Sequence, residues 1–284
     1  MIIDSHCHAW ERWPYDPPVP DTDSRGRVEQ LLWEMDQAGV SRAVVICAGI
    51  GGNPDNNDYG AVAARASGGR LTAFVDIDSR WSGTHHQPGA AGRFRAALDR
   101  YTPVGITHYM QEDADPGWLL SEEGDACLKL LSERNVILSL ACGPAQVSAV
   151  ARAAGRNPGL TVLMHHLGRA KAGDRAAVQS VLAAAPAANV YVKVSGFGYG
   201  YDTNRSWDFP YREMQEVLRA LRDGYGPDRL VWGSDYPVVR RFMTYRQSLE
   251  IVRSHCGFLD ASERARILGG TMATLLAQAA TGGG

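Results

Sequence analysis

Two imidazoles one residue apart stand near the start of this sequence, in Asp4-Ser5-His6-Cys7-His8. Side chains alternate across a β-strand, so His6 and His8 would face one side together while Cys7 faces the other. Neutral histidines at that spacing can hold a divalent metal or polarise a substrate carbonyl; they can equally be core residues bonded to their neighbours. Toward the other end, Leu230-Val231-Trp232-Gly233-Ser234-Asp235-Tyr236-Pro237 is an apolar run that stops at a carboxylate. Asp235 can there accept a proton from water, ligate a metal, or do both in turn; in isolation it can also be a turn or helix N-cap residue. A third run, Leu163-Met164-His165-His166-Leu167-Gly168, again ends in histidines. Adjacent strand residues face opposite sides, so at most one of this pair is expected in a shared pocket while strand geometry continues.

The elements that must position these groups are legible as an alternation of short apolar runs with longer helix-like segments, the pattern of βα units around a parallel sheet. Eight strands are expected, at 1–5, 43–47, 71–77, 104–109, 136–141, 160–165, 190–195 and 230–233. Helices are expected at 25–38, 57–66, 92–100, 122–134, 144–154, 174–185, 210–223 and 245–255, with a last one at 262–279. Gly39 and Gly159 mark boundaries, and Asp260 or Ser262 can cap the final helix. An open doubly wound sheet would alternate in the same way. The polar residues decide between them: His6, His8, His108, His165, His166 and Asp235 all fall at or just past the C-terminal ends of expected strands 1, 4, 6 and 8. In a closed (β/α)8 TIM barrel those ends converge on one face, where barrel enzymes place their chemistry.

The chain has 284 residues, 45% of them hydrophobic and 21% charged. That suits one barrel domain over residues 1–280, since such barrels take about 250 residues, and the Thr281-Gly282-Gly283-Gly284 tail is expected to be disordered. A net charge of −2 gives no reason to expect nucleic acid or an acidic membrane surface as partner, so a small-molecule substrate is expected. The N-terminus has no basic segment followed by a long apolar one, and no stretch approaches the ~20 apolar residues of a membrane span. The expected location is therefore cytoplasmic. Five scattered cysteines (Cys7, Cys47, Cys127, Cys142, Cys256) form no C-x-x-C pair and read as buried thiols. Long aromatic loops at 9–24, 78–91 and 196–209 follow strands and could make a lid or a pocket; the same aromatics could simply pack the loops onto the rim.

In this order and spacing the motifs resemble the amidohydrolase-related family, in particular its lactonase-like branch of TIM-barrel hydrolases. Ile3-Asp4-Ser5-His6-Cys7-His8 is similar to the family's I-D-x-H-x-H first strand, and His166-Leu167-Gly168 to its sixth-strand H-L-G. Val192-Lys193-Val194-Ser195-Gly196 is similar to K-x-S-G on the seventh strand, and Gly233-Ser234-Asp235-Tyr236-Pro237 to G-S-D-[WY]-P on the eighth. The resemblance covers essentially the whole chain. It implies His6 and His8 as metal ligands or carbonyl-polarising groups, His166 as a further ligand and catalytic contact, and Asp235 as ligand and water-activating base. Lys193 would belong to the barrel wall. Substrate contacts are expected from Thr107, His108, Tyr109, Trp10 and Tyr236.

The departures from the family pattern bear on mechanism. Where binuclear members carry a carboxylated lysine on the fourth strand, this chain has Val104-Gly105-Ile106-Thr107-His108-Tyr109, so a two-metal site is not expected. Where many mononuclear members place a fifth-strand histidine, it has Ser139-Leu140-Ala141-Cys142-Gly143, leaving Cys142 as the poorer substitute. Either one divalent metal, zinc first, or metal-free catalysis remains open. An arginine that lactonase-like members direct at a substrate carboxylate is Thr107 here, which leaves that task to His108, Arg240 or Arg241, or to a less acidic substrate. The leading expectation is hydrolysis of a lactone or other ester-like bond in a small cyclic compound. The rivals are metal-dependent, non-oxidative decarboxylation of an aromatic or unsaturated acid, and a non-catalytic binding barrel. No feature marks an oligomer interface.

Overall fold

Runs rich in valine and isoleucine are stiff at χ1 and suit a pleated, buried surface, and each becomes a strand. A computed structural model describes residues 1–15, 25–110, 115–203 and 205–281. Its strands are β1 (Ile3–Cys7), β2 (Arg42–Cys47), β3 (Leu71–Asp76), β4 (Gly105–Tyr109), β5 (Ile137–Ala141), β6 (Val162–Met164), β7 (Val190–Val194) and β8 (Leu230–Trp232). They lie in sequence order in one sheet, each parallel to the next. Past β8 the chain returns beside β1: Asp235 N donates to His6 O at 2.7 Å, and Cys7 bridges Tyr236. The ring thereby closes into a (β/α)8 TIM barrel. No helix among the described residues is long and apolar enough to cross a membrane.

Between and after the strands run α1 (Val28–Ala38), α2 (Asn56–Ala66), α3 (Ala90–Tyr101), α4 (Glu122–Glu133), α5 (Val147–Arg156), α6 (Arg175–Leu182), α7 (Arg212–Tyr225), α8 (Tyr245–Glu250), α9 (Ala261–Ala265) and α10 (Thr271–Thr281). Alternate strand residues divide into two cores. Ile3, Val44, Ile46, Phe74, Ile137, Leu163 and Val231 fill the interior, together with Met272, Leu275 and Leu276 of α10, which plugs one end. Val45, Cys47, Val75, Ile106 and Leu138 face the helices.

Four expectations shift. The first strand ends at Cys7 rather than Ser5, and it carries a bulge: Asp4 pairs with Ala43 and Cys7 with Val45, so Ser5 and His6 together oppose Val44. The sixth strand stops at Met164 rather than running to 165. The single closing helix is in fact two, α9 and α10, because the chain turns at Gly269, where an added Cβ would lie 2.7 Å from Met1 O. Gly39 ends α1 in the left-handed conformation, and Asp260 caps α9 in a reciprocal pair with Glu263. Thr281, expected in a loose tail, ends α10; residues 282–284 and most of the 9–24 loop lie outside the described residues.

Candidate active site

The bulge in β1 turns His6 and His8 toward the barrel axis, and Asp235 faces them from the turn after β8. His6 Nε2 lies 3.4 Å and His8 Nε2 3.3 Å from Asp235 Oδ1, with His166 Nε2 at 4.0 Å. All four residues are buried. Asp235 is held at φ +59° and His166 at +51°, left-handed conformations that non-glycine residues seldom adopt. Each is bent out of its strand direction toward the axis.

Each ring is oriented by its second nitrogen. His8 Nδ1 stands 2.9 Å from Ile46 O, and since a carbonyl only accepts, Nδ1 carries the proton. Its Nε2 lone pair then faces a carboxylate oxygen at 3.3 Å, an arrangement of two acceptors that calls for a cation or a proton between them. Trp10 stacks on this ring at 4.9 Å and anchors its own Nε1 on Ala48 O. His166 Nδ1 pairs with Ser195 Oγ at 2.9 Å. Its position needs Gly196, at φ +69°, because a Cβ there would come within 2.9 Å of His166 Cβ.

Lys193 projects into this centre rather than serving only the wall. It is fully buried, with Nζ 2.6 Å from Ser139 Oγ and 3.1 Å from His6 Nδ1. Burial lowers its pKa to about 7. As an ammonium it donates to His6 Nδ1 and fixes the ring proton on Nε2; as a neutral amine it can accept from Nδ1–H and leave Nε2 a lone pair. Ser139 continues the chain to His165 Nε2 at 2.7 Å. His165 was not expected beside His166, yet both rings pack on His6, at centroid distances of 4.5 and 4.7 Å. With the strand ended at Met164, alternation no longer governs the pair.

Asp4 ties the two ends of the barrel wall together. Its Oδ1 accepts from His6 N at 3.0 Å and Ser234 N at 2.9 Å, and its Oδ2 from Ser234 Oγ at 2.6 Å and Tyr245 Oη at 3.0 Å. Burial outweighs these bonds and lifts its pKa to about 6. For Asp235 the balance runs the other way. Burial alone would push the carboxyl up, but the facing imidazoles of His166, His6 and His8 hold it well below the ordinary range. Tyr199 Oη donates to Asp235 Oδ2, which leaves Oδ1 to the imidazoles. Burial lowers the His166 pKa to about 3 and that of His6 well below its usual value, so both rings are neutral at pH 7.

Two ligands ~2.1 Å from one tetrahedral zinc lie ~3.4 Å apart, which matches the separations of His6, His8 and Asp235, whose donor atoms all lie within 4.8 Å of one another. His6 Nε2 is also buried without a hydrogen-bond partner. The donor set thus fits one divalent cation. Cys142 sits in the outer apolar core, away from this cluster.

A cavity of about 240 Å³ opens above Asp235, His8 and His166. Arg80, Arg169 and Arg241 line it, with Tyr15, Trp81 and Tyr109; among the described residues of its lining, Asp235 is the one carboxylate. Of the expected substrate contacts, Tyr109 reaches this cavity. Trp10 instead backs His8, and Thr107 is fully buried with its hydroxyl on Ser139 O. Two need correction. His108 alternates with inward Thr107 and Tyr109, so its ring turns outward against Phe94, His86 and Trp118. Tyr236 likewise packs outside, against Tyr245. Arg240 pairs with Glu34 at 4.0 Å, and of the two neighbouring arginines only Arg241 faces the cavity. Arg80 and Arg169 escaped the sequence reading because each sits on a loop just past a strand, where periodicity carries no signal.

The family model described as Amidohydrolase matches residues 3–277. An L-fucono-1,5-lactonase from Burkholderia ambifaria is 28% identical over 286 residues, spanning 94% of this chain and 92% of the relative. Among solved structures, an amidohydrolase from Burkholderia multivorans with bound zinc superposes with a TM-score of 0.78 at 23% identity, over 98% of this chain and 99% of that one. A probable 2-pyrone-4,6-dicarboxylic acid hydrolase from Acinetobacter baumannii, with citric acid bound, gives 0.73 at 17% identity, over 97% and 99%. With a family model spanning nearly the whole length and this histidine–aspartate centre at the strand ends, the chain belongs to the amidohydrolase family of enzymes.

Proposed function

We propose that this enzyme hydrolyses the lactone bond of a small cyclic compound that carries a carboxylate or similar anionic group. The observation that carries the reading is Asp235, ionised and facing three imidazoles, on the wall of a cavity that also presents three guanidinium groups. Asp235 Oδ1 accepts a proton from water as the water oxygen attacks the lactone carbonyl carbon. When Ser195 Oγ donates to His166 Nδ1, the neutral ring keeps its proton on Nε2 and directs that N–H as a hydrogen bond to the oxygen that gains charge. The ring C–O bond then breaks, and the leaving alkoxide takes the proton held by Asp235. A divalent cation, zinc first, held by His6, His8 and Asp235 would supply carbonyl polarisation when bound. Arg80, Arg169 and Arg241 hold the anionic substituent, since a guanidinium fork matches a carboxylate in two hydrogen bonds. The relatives support the reaction type: one is a lactonase of a sugar acid and one a probable hydrolase of a dicarboxylic acid.

A panel of lactones that differ only in a carboxylate, assayed for acid release before and after chelation, tests this. Carboxylated members should turn over with at least tenfold lower KM. Equal use of neutral and acidic lactones would remove the role given to the arginines. Carbon dioxide release from an acid substrate, with no lactone turned over, would point to the decarboxylase reading instead.

A further inference from the structure

Outside the barrel wall, three more histidines meet. His108 leaves β4 on the outer side, and His85 and His86 come from the loop between β3 and α3. One ring nitrogen from each lies within 4.8 Å of the other two. His108 Nε2 is 3.1 Å from His86 Nε2. His108 Nδ1 stands 2.9 Å from Ile77 O and His85 Nδ1 2.7 Å from Asp78 O. Because carbonyls only accept, both rings are protonated on Nδ1 and present an Nε2 lone pair. Such backbone bonds are the outer contacts that orient metal-binding histidines. His85 Nε2 is moreover buried with no hydrogen-bond partner.

The loop is shaped to bring these rings together. Asp78 and His86 are both held at φ +55°, in the left-handed region. Asp78 is clamped by Arg93 at 2.8 Å and by Thr84 Oγ1 at 2.5 Å, so its carboxylate is engaged elsewhere. Trp118 stacks on His86 at 4.2 Å and covers one side.

We propose that His85, His86 and His108 form a second divalent-metal site, of the type that takes zinc or another imidazole-seeking ion, separate from the site at the barrel mouth. Two imidazoles on one zinc have centroids ~5 Å apart, given Zn–N bonds of ~2.1 Å. The His85–His108 and His86–His108 pairs already stand at 5.4 and 5.3 Å, whereas His85 and His86 stack at 3.7 Å. Binding therefore turns one loop ring, and both are only partly buried. Burial, with the neighbouring histidines, depresses the His86 pKa to about 3, and burial depresses that of His108 to about 4; both are neutral and ligand-competent at pH 7. The ion would pin to β4 the same loop that carries Arg80 and Trp81 into the cavity.

Equilibrium dialysis against zinc chloride, with zinc counted per chain, tests the site in four proteins. Wild type should retain one more zinc per chain than His85→Ala/His86→Ala, whose circular dichroism should be unchanged. In a His6→Ala/His8→Ala background one zinc should persist, and it should vanish when His85 and His86 are also replaced. Cobalt substituted in that background should give the visible absorption of a low-coordinate imidazole site. Equal zinc counts in wild type and His85→Ala/His86→Ala would overturn the proposal. So would a background zinc that survives loss of the loop histidines.

Discussion

At the scale of single residues, Asp235 and Lys193 are the two charged groups buried among the histidines, and they make different predictions. Asp235→Asn keeps the size and the bond from Tyr199 in reach but removes the base, so turnover should fall by about 10²–10⁴-fold with the fold intact. A variant of full activity and unchanged melting would end the assignment. Lys193 predicts a stability profile. Its pKa of about 7 in the folded chain lies below the ordinary 10.5, so between those values the unfolded chain binds more protons. Stability attributable to Lys193 must then rise with pH from about 7 to 10.5. The denaturant midpoint of wild type should rise steadily relative to that of Lys193→Met as pH climbs through that window; a constant difference would show that the lysine is not buried as a shifted amine.

At the scale of elements, the turns after β6, β7 and β8 do the positioning, and Gly196 is the most exacting of them. Gly196→Ala places a methyl against His166 and Tyr199 at a φ that costs a non-glycine residue about 1–2 kcal/mol. The expected result is a modest loss of melting temperature with a disproportionate fall in kcat, because His166 and the Tyr199 contact to Asp235 both move; unchanged kcat would mean neither matters. These turns also mark where sequence reading stops. The order of strands, and His6, His8, His166 and Asp235 at their ends, could be read because apolar runs and motif spacing reflect the barrel's repeat. Strand parity alone, however, does not say which face is inward: the bulge in β1 rescues the His6/His8 orientation, while His108 and Tyr236 fall on the outer face. Lys193 did leave a signal. A lysine inside Val190-Tyr191-Val192-Lys193-Val194 has no route to solvent from a barrel strand, which already implies a buried, partnered amine.

At the scale of the whole molecule, the interior below the site is an apolar column that rests on α10. Phe74 is fully buried at its centre, against the bare Gly105. Phe74→Ala should cost about 3–5 kcal/mol of stability, read by chemical denaturation; a cost below 1 kcal/mol would mean the column collapses to refill the space. The Asp4 clamp on Ser234 joins positions 230 residues apart in sequence. Loop-closure entropy makes so distant a pairing late in folding. During synthesis, therefore, His6 and His8 leave the ribosome long before Asp235 arrives to face them. Nascent chains should hold a histidine pair able to scavenge metal long before they hold an enzyme.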